Sequence, residues 1–172
     1  MSQQSPGVVL VPLDRRHMAQ TLRWTNDDDL ARLMDRPRKV EASEHEQWFA
    51  ALAGRTDTLF FAIEDDGRHL GNVWLANIEP RHRKAEVRIV IDAGAANRGC
   101  GSQAIQLLAT HAFGEMRLNR LYAFVLVFNP RARRAFEKSG FVLEGMLRQD
   151  RFDGSAFADT VVLGRLNSTI SD

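Results

Sequence analysis

The stretch from Asn97 to Phe141 leaves the chain few folds to choose from. The segment before it, Glu86-Val87-Arg88-Ile89-Val90-Ile91, alternates as a strand should, with Ala85, Val87, Ile89 and Ile91 on one face. A loop through Ala93-Gly94-Ala95-Ala96 follows, and Arg98-Gly99-Cys100-Gly101 then opens a helix. Its apolar residues Ile105, Leu108, Ala109, Ala112, Phe113 and Met116 recur at helical spacing. A second strand-like run, Leu121–Phe128, leads into Asn129-Pro130-Arg131-Ala132 and a short helix that stops at Ser139-Gly140-Phe141. Strand, glycine turn, helix, strand and helix in that order require layers of helix and sheet.

The glycine turn carries the first chemical hint. The first turn of a helix has unpaired N–H groups and the positive end of the dipole, so it attracts phosphate. Glycines let a phosphate approach the backbone without a Cβ in the way. An ordinary helix start with two glycines reads the same. The turn is not a nucleoside-triphosphate loop, because the Gly-Lys-Ser/Thr that reaches phosphates and Mg²⁺ is missing. The dinucleotide pattern fits poorly: Ala104 takes the third glycine's place, and the next strand ends at Asn129 rather than at an acidic residue.

Arg98-Gly99-x-Gly101-x-x-Ala104, followed by a helix, a strand and Asn129-x-x-Ala132-x-Arg134-x-Phe136-Glu137-Lys138-x-Gly140-Phe141, resembles the GNAT superfamily of acyl-CoA-dependent N-acetyltransferases. The resemblance runs over roughly residues 8 to 166. It implies an α/β (α+β) fold: a mixed, mostly antiparallel sheet splayed at the cofactor site, with helices on both faces. It also implies acetyl-CoA as the cofactor. Carried over residue by residue, it places Ile89, Val90 and Ile91 along the acetyl-pantetheine arm and Arg98, Gly99, Cys100, Gly101, Ser102 and Gln103 around the pyrophosphate. Asn129, Arg133 and Arg134 fall toward the pantetheine and the 3′-phosphate, and Phe136 stands beside the thiol.

That last position departs from the family. Many members carry there the tyrosine that protonates the departing thiolate, and a serine where this chain has Ala132. The only tyrosine is Tyr122, in a strand. A coenzyme A thiol has a pKa not far above that of cysteine, about 8.5, so it leaves tolerably without an acid, and a slower enzyme is expected rather than a dead one. Direct attack of a neutral amine on the thioester needs orientation, a hydrogen bond to the developing oxyanion from a backbone N–H near Val90 or Ile91, and a base. Glu86 is the expected base; a salt-bridged strand residue beside Arg88 is the plainer reading. Cys100 sits at a helix N-terminus but is expected to offer only its N–H.

The N-terminal third is expected to hold the acceptor. Arg23-Trp24-Thr25-Asn26-Asp27 and Glu44-His45-Glu46-Gln47-Trp48-Phe49 resemble the subgroup containing ribosomal-protein N-terminal acetyltransferases and pseudaminic-pathway amino-sugar N-acetyltransferases. Trp24, Asn26, Trp48 and Phe49 are the acceptor-site candidates, with core packing of the aromatics an equal alternative. The leading expectation is acetyl transfer to a small primary amine, more narrowly a nucleotide-linked amino sugar. A ribosomal-type protein N-terminal acetyltransferase and a non-catalytic acyl-CoA-binding module are the alternatives.

The remaining expectations follow from composition and patterning. A net charge of +1 gives no field for nucleic acid or a membrane surface. One cysteine excludes an internal disulfide, and the scattered histidines show no metal-ligand spacing. No apolar run approaches a membrane span, and Met1–Pro6 lacks signal-peptide character, so a cytoplasmic monomer or homodimer is expected. At 172 residues, 1–172 is read as one domain. Strands are expected over Val8–Leu13, Thr58–Glu64, His69–Ile78, Val142–Phe152 and Phe157–Leu166, with turns at Asp65-Asp66-Gly67 and Asp153-Gly154. Helical segments are expected over Asp14–Trp24, Asp27–Asp35 with Pro37 as a stop, and Ser43–Leu52 behind a capping box that starts at Ser43.

Overall fold

The computed structural model describes residues 7–34, 38–152 and 155–168. Seven strands form one sheet in the order β1-β2-β3-β4-β5-β7-β6. They are β1 (Val9–Pro12), β2 (Leu59–Asp65), β3 (Arg68–Glu79), β4 (Lys84–Ile91), β5 (Arg120–Leu126), β6 (Val142–Phe152) and β7 (Phe157–Leu166). Every pairing is antiparallel except β4 with β5. That exception follows from connectivity, since α4 (Cys100–Gly114) crosses over between the two strands. The expected strand runs recur with shifts of one or two residues. The ends of two expectations, Asp35 with Pro37 and the turn at Asp153-Gly154, lie outside the described residues, as do Met1–Pro6.

The tight β2–β3 turn follows from its chemistry. Asp66 and Gly67 take φ of 49° and 71°, the left-handed pair that a two-residue hairpin needs and that Asp-Gly adopts readily. The register then puts one face of each strand into a single core. Phe61 lies opposite Val73, Val73 opposite Ile89, Leu75 opposite Val87, and Ala85 beside Leu121. Against this face packs α4, with Ala104, Ile105, Leu108, Ala109 and Ala112 fully buried, the stripe that its period requires. The fifth helix, α5 (Pro130–Lys138), packs on α4. Truncating Leu108 to Ala is expected to destabilise the fold by about 3 kcal/mol, read as a lower denaturation midpoint at constant slope.

The opposite face carries α1 (Met18–Thr25), α2 (Asp28–Leu33) and α3 (Ala42–Leu52), so helices cover both faces. Asp27 caps α2 by accepting from the Leu30 N–H at 2.9 Å. The cap of α3 lies earlier than the sequence suggested. Glu41 is its N-cap, and Glu44 Oε2 accepts from the Glu41 N–H at 3.0 Å. Ser43 therefore sits inside the first turn. An acidic residue at the cap position with Glu three residues on does the work expected of Ser43 and Glu46.

Candidate active site

The sheet opens between its two parallel strands. The β4–β5 ladder runs only through Lys84–Arg120, Ala85–Leu121 and Glu86–Tyr122. Beyond Tyr122, β5 pairs only with β7, from Ala123–Leu163 to Leu126–Thr160. The unpaired end of β4 therefore exposes backbone groups to the opening. Their direction follows from the β3–β4 register. Asp92 donates its N–H to Leu70 O at 2.8 Å, and Asn72 lies opposite Val90 and Trp74 opposite Arg88. In an antiparallel ladder this phase commits the even-numbered residues to β3 and turns the N–H groups of Ile89 and Ile91 toward the opening. The sequence reading had favoured Val90 or Ile91.

Beside the opening, Gly99 is the N-cap of α4 with φ of 84°, a left-handed conformation natural only to glycine. A cavity of about 210 Å³ runs from Ile89, Val90 and Ile91 past Gly99, Gly101 and Ser102 to Asn129 and Arg134. At Gly101 a Cβ would meet only ordinary contacts, 3.6 Å to Ile91 and 3.9 Å to Ala135 and Ile89. The space beyond is the cradle itself, so the residues present fit a pyrophosphate at the helix N-terminus. Ser139 holds the two helices together there, donating to Ser102 O at 3.0 Å and Ala135 O at 2.8 Å.

Several expected cofactor residues lie elsewhere. Arg98, Cys100, Gln103 and Arg133 do not line this cavity. Arg133 pairs with Glu137 at 2.8 Å along α5. Cys100 is 2% exposed, and burial pushes its thiol up from the ordinary value, which suits a packed residue rather than a nucleophile. The cations that do line the cavity are Arg131, Arg134 and Lys138. Their i, i+3, i+7 spacing puts them on one face of α5, and that periodicity was available in the sequence. Asn129 caps α5, accepting from the Ala132 N–H at 3.1 Å, so it organises the helix that presents these cations.

Phe136 lines a second cavity, of about 290 Å³, inside the opening, together with Glu86, Arg88, Ile89, Asn129 and Thr160. It is 3% exposed and packs edge-on against Phe141, with ring centroids 5.1 Å apart. Tyr122 does not line this cavity. Burial, then the nearby Glu86 charge, pushes its phenol above the ordinary value. Glu86 is buried, and three N–H donors hold it. Arg88 Nε reaches Oε1 at 2.7 Å, while Arg88 Nη2 at 3.0 Å and Asn77 Nδ2 at 2.9 Å reach Oε2.

A third cavity, about 510 Å³, lies under α1–α3 and is lined by Trp24, Trp48, Phe60, Trp74, Asn72 and Arg88 among others. Trp24 is both buried and part of this wall. Its indole N–H donates to Asp92 Oδ2 at 2.8 Å, which ties α1 to the loop before Gly99. Trp48 lines the cavity, and Phe49 does not. Asn26 stands outside the wall and clasps the segment before α3, donating to Val40 O at 2.9 Å and accepting from Val40 N–H at 2.8 Å. Phe60 and Trp74, which the sequence reading passed over, stack at 4.8 Å. Their alternation in adjacent strands was the only available signal.

A buried polar group supports this wall. His69 Nε2 bonds Asn72 Oδ1 at 2.8 Å, and Asn72 Nδ2 donates to the Thr21 hydroxyl at 3.0 Å. His17 packs edge-on to His69 and bonds Glu64 at 2.9 Å. Burial lowers the His69 pKa from its ordinary 6.5 despite the Asn72 bond. The unfolded chain therefore takes up the proton first. Stability is complete above about pH 6.5 and falls as pH drops below it. Melting temperature should decline from about pH 7 to 5, and His69→Gln should flatten that decline.

A sheet opened between parallel strands, with a glycine-led helix N-terminus at the gap, defines the acyl-CoA-binding class of transferase folds. The chain belongs to the acetyltransferase (GNAT) domain family, whose model matches residues 8–142. It is 31% identical over 101 residues to spermidine N(1)-acetyltransferase of Escherichia coli K12, covering 59% of this chain and 54% of that protein. Over 106 residues it is 30% identical to ribosomal-protein-serine acetyltransferase of the same strain, covering 62% and 59%. The matched stretch thus spans about half the length of these curated relatives. The crystal structure of spermidine N-acetyltransferase from Vibrio cholerae with CoA and spermine superposes with a TM-score of 0.88 at 25% identity, over 94% of this chain and 96% of that one. Among the described residues no helix is long and apolar enough to cross a membrane, and no His/Cys/Asp/Glu group could hold a metal ion.

Proposed function

We propose that the protein transfers an acetyl group from acetyl-CoA to the primary amine of a small molecule held in the aromatic cavity. The observation that carries this is that Val90 lines both the aromatic cavity and the one beside Gly101, while Arg88 lines the aromatic cavity and the opening. Two partners seated in these cavities meet at β4, as direct transfer requires.

Acetyl-CoA, when bound, supplies the thioester. The chain's own residues supply the rest. The N–H groups at the start of α4 hold the diphosphate, and Arg131, Arg134 and Lys138 add charge. The N–H groups of Ile89 and Ile91 are placed to donate to the carbonyl oxygen, where negative charge grows. Phe136 offers no proton to the leaving sulfur. Glu86 is the carboxylate in the opening and the proposed proton acceptor; Oε1, with Arg88 Nε as its one donor, keeps a site for the incoming proton. Glu86→Gln is expected to lower kcat/KM at least tenfold with coenzyme A binding retained; an unchanged kcat/KM would reduce Glu86 to an anchor for Arg88.

The relatives add polyamines and protein N-termini to the list of acceptors. Thiol release should be assayed with acetyl-CoA against amino sugars, peptides and polyamines. Amine-dependent release above background hydrolysis is expected. Coenzyme A binding without any amine-dependent release would leave a non-catalytic binding module.

A further inference from the structure

The aromatic cavity differs in charge from what a polyamine requires. No carboxylate lines it among the described residues, whereas Arg38, Arg55 and Arg88 do. Each arginine is held by a carboxylate that stays out of the wall. Arg38 bonds Glu44 at 2.9 and 2.8 Å, Arg55 bonds Asp57 at 2.9 Å twice, and Arg88 bonds Glu86, which faces the adjoining opening. The Glu44 carboxyl is pulled down to about 2 by its hydrogen bond from Arg38, so that pair stays charged through the physiological range. The wall thus takes the three arginines and leaves out their three carboxylates. The Nη1 atoms of Arg55 and Arg88 take no part in these bonds.

The rest of the wall is aromatic or neutral. His45 stacks on Trp48 at 5.1 Å, Trp48 meets Phe60 edge-on, and Phe60 stacks on Trp74. Aromatic faces attract either a cation or a flat ring. The arginines in the wall, with no carboxylate beside them there, decide between the two: they favour an anionic group over a second and third ammonium. Thr21, Thr58, Asn72 and Asn77 supply uncharged hydrogen-bonding groups. At about 510 Å³ the cavity has the size of a ligand with a ring and several polar groups.

We infer that the acceptor is a primary amine on a molecule that also carries a planar ring and a negatively charged group, and that it is not a polyamine. This rests on the transfer reading above. Two sources share that chemistry, a nucleoside-diphosphate-linked amino sugar and an aromatic amino acid. The phosphate source uses more than one arginine, and the carboxylate source needs only one.

The protein contains three tryptophans, and Trp24, Trp48 and Trp74 all line this cavity. Intrinsic fluorescence therefore reports on this site with or without turnover, and titrations run with coenzyme A already bound separate it from the adjoining cofactor cavity, which Trp24 reaches through Asp92. Titrations with uridine diphosphate, with phenylalanine and with spermidine should be compared. Saturable fluorescence change with one of the two anionic probes, at least tenfold tighter than with spermidine, is expected; which probe binds names the source. Arg55→Gln, an exposed substitution, should weaken that probe severalfold. Thiol release should favour the matching amine over spermidine by at least about a hundredfold in kcat/KM. Spermidine binding as tightly as either probe, or turnover led by spermidine or a peptide, would overturn the assignment. Loss of thiol release with every amine would instead remove the transfer reading and leave the fluorescence ranking to decide the ligand class.

Discussion

Gly101→Leu should abolish coenzyme A binding while leaving the fold intact. The Cβ fits, since its nearest neighbours lie at 3.6 and 3.9 Å. The remaining carbons must then enter the space between β4 and α5, where the cavity runs. The substitution also lies inside α4, where leucine is a better helix former than glycine by roughly 0.8 kcal/mol. Calorimetric titration with coenzyme A should show at least about a hundredfold loss, roughly 2.7 kcal/mol, with the melting temperature unchanged or raised. Near-normal affinity would remove the phosphate site from α4. Gly99 makes a poorer test, because any side chain there is strained at φ of 84° and loss of binding would be ambiguous.

Phe136→Tyr should speed turnover. The ring lines the opening beside Asn129 and Ala132, and a phenol there could protonate the leaving thiolate. A well-placed acid contributes about 10²–10⁴-fold. Because a thiolate leaves tolerably unaided, the gain should fall at or below the lower end, about tenfold in kcat, and fade as pH rises toward the phenol's ordinary value of about 10. The cost is the hydroxyl's burial, up to about 1–3 kcal/mol of stability where it finds no partner in this cavity. Single-turnover rates across pH check this directly. A variant that folds, binds coenzyme A and shows no faster chemistry would mean that sulfur protonation does not limit this enzyme.

How much of this was legible in the sequence depends on whether the signal was local. The period of α4, the Asp66-Gly67 hairpin and the alternation of β4 are local, and they recur in the structure within a residue or two. The cap of α3 was misplaced because Glu41 was not considered as a cap, although the partner Glu44 was in view. On α5 the expected pair divides, because Arg133 and Arg134 are adjacent in sequence yet face different ways. Arg133 turns to Glu137, and Arg134 joins Arg131 and Lys138. The aromatic cavity needed tertiary register: Phe60 and Trp74 meet only because β2 and β3 pair Phe60 with Trp74. Asn26 is half-buried and clasps the Val40 backbone, and an amide in that role leaves the same sequence trace as one that binds a ligand.

The short β4–β5 ladder also bears on how such a site can change over time. Its donors are the peptide groups of Ile89 and Ile91, whose side chains turn the other way, toward the α4 face of the sheet. Any residue that packs against α4 keeps those donors in place. The proposed oxyanion donors are therefore specified by where pairing stops, at Glu86–Tyr122, and not by the side chains of Ile89 and Ile91. Drift at Ile89 and Ile91 would leave those donors in place, while one added rung between Val87 and Ala123 would close the gap beside them.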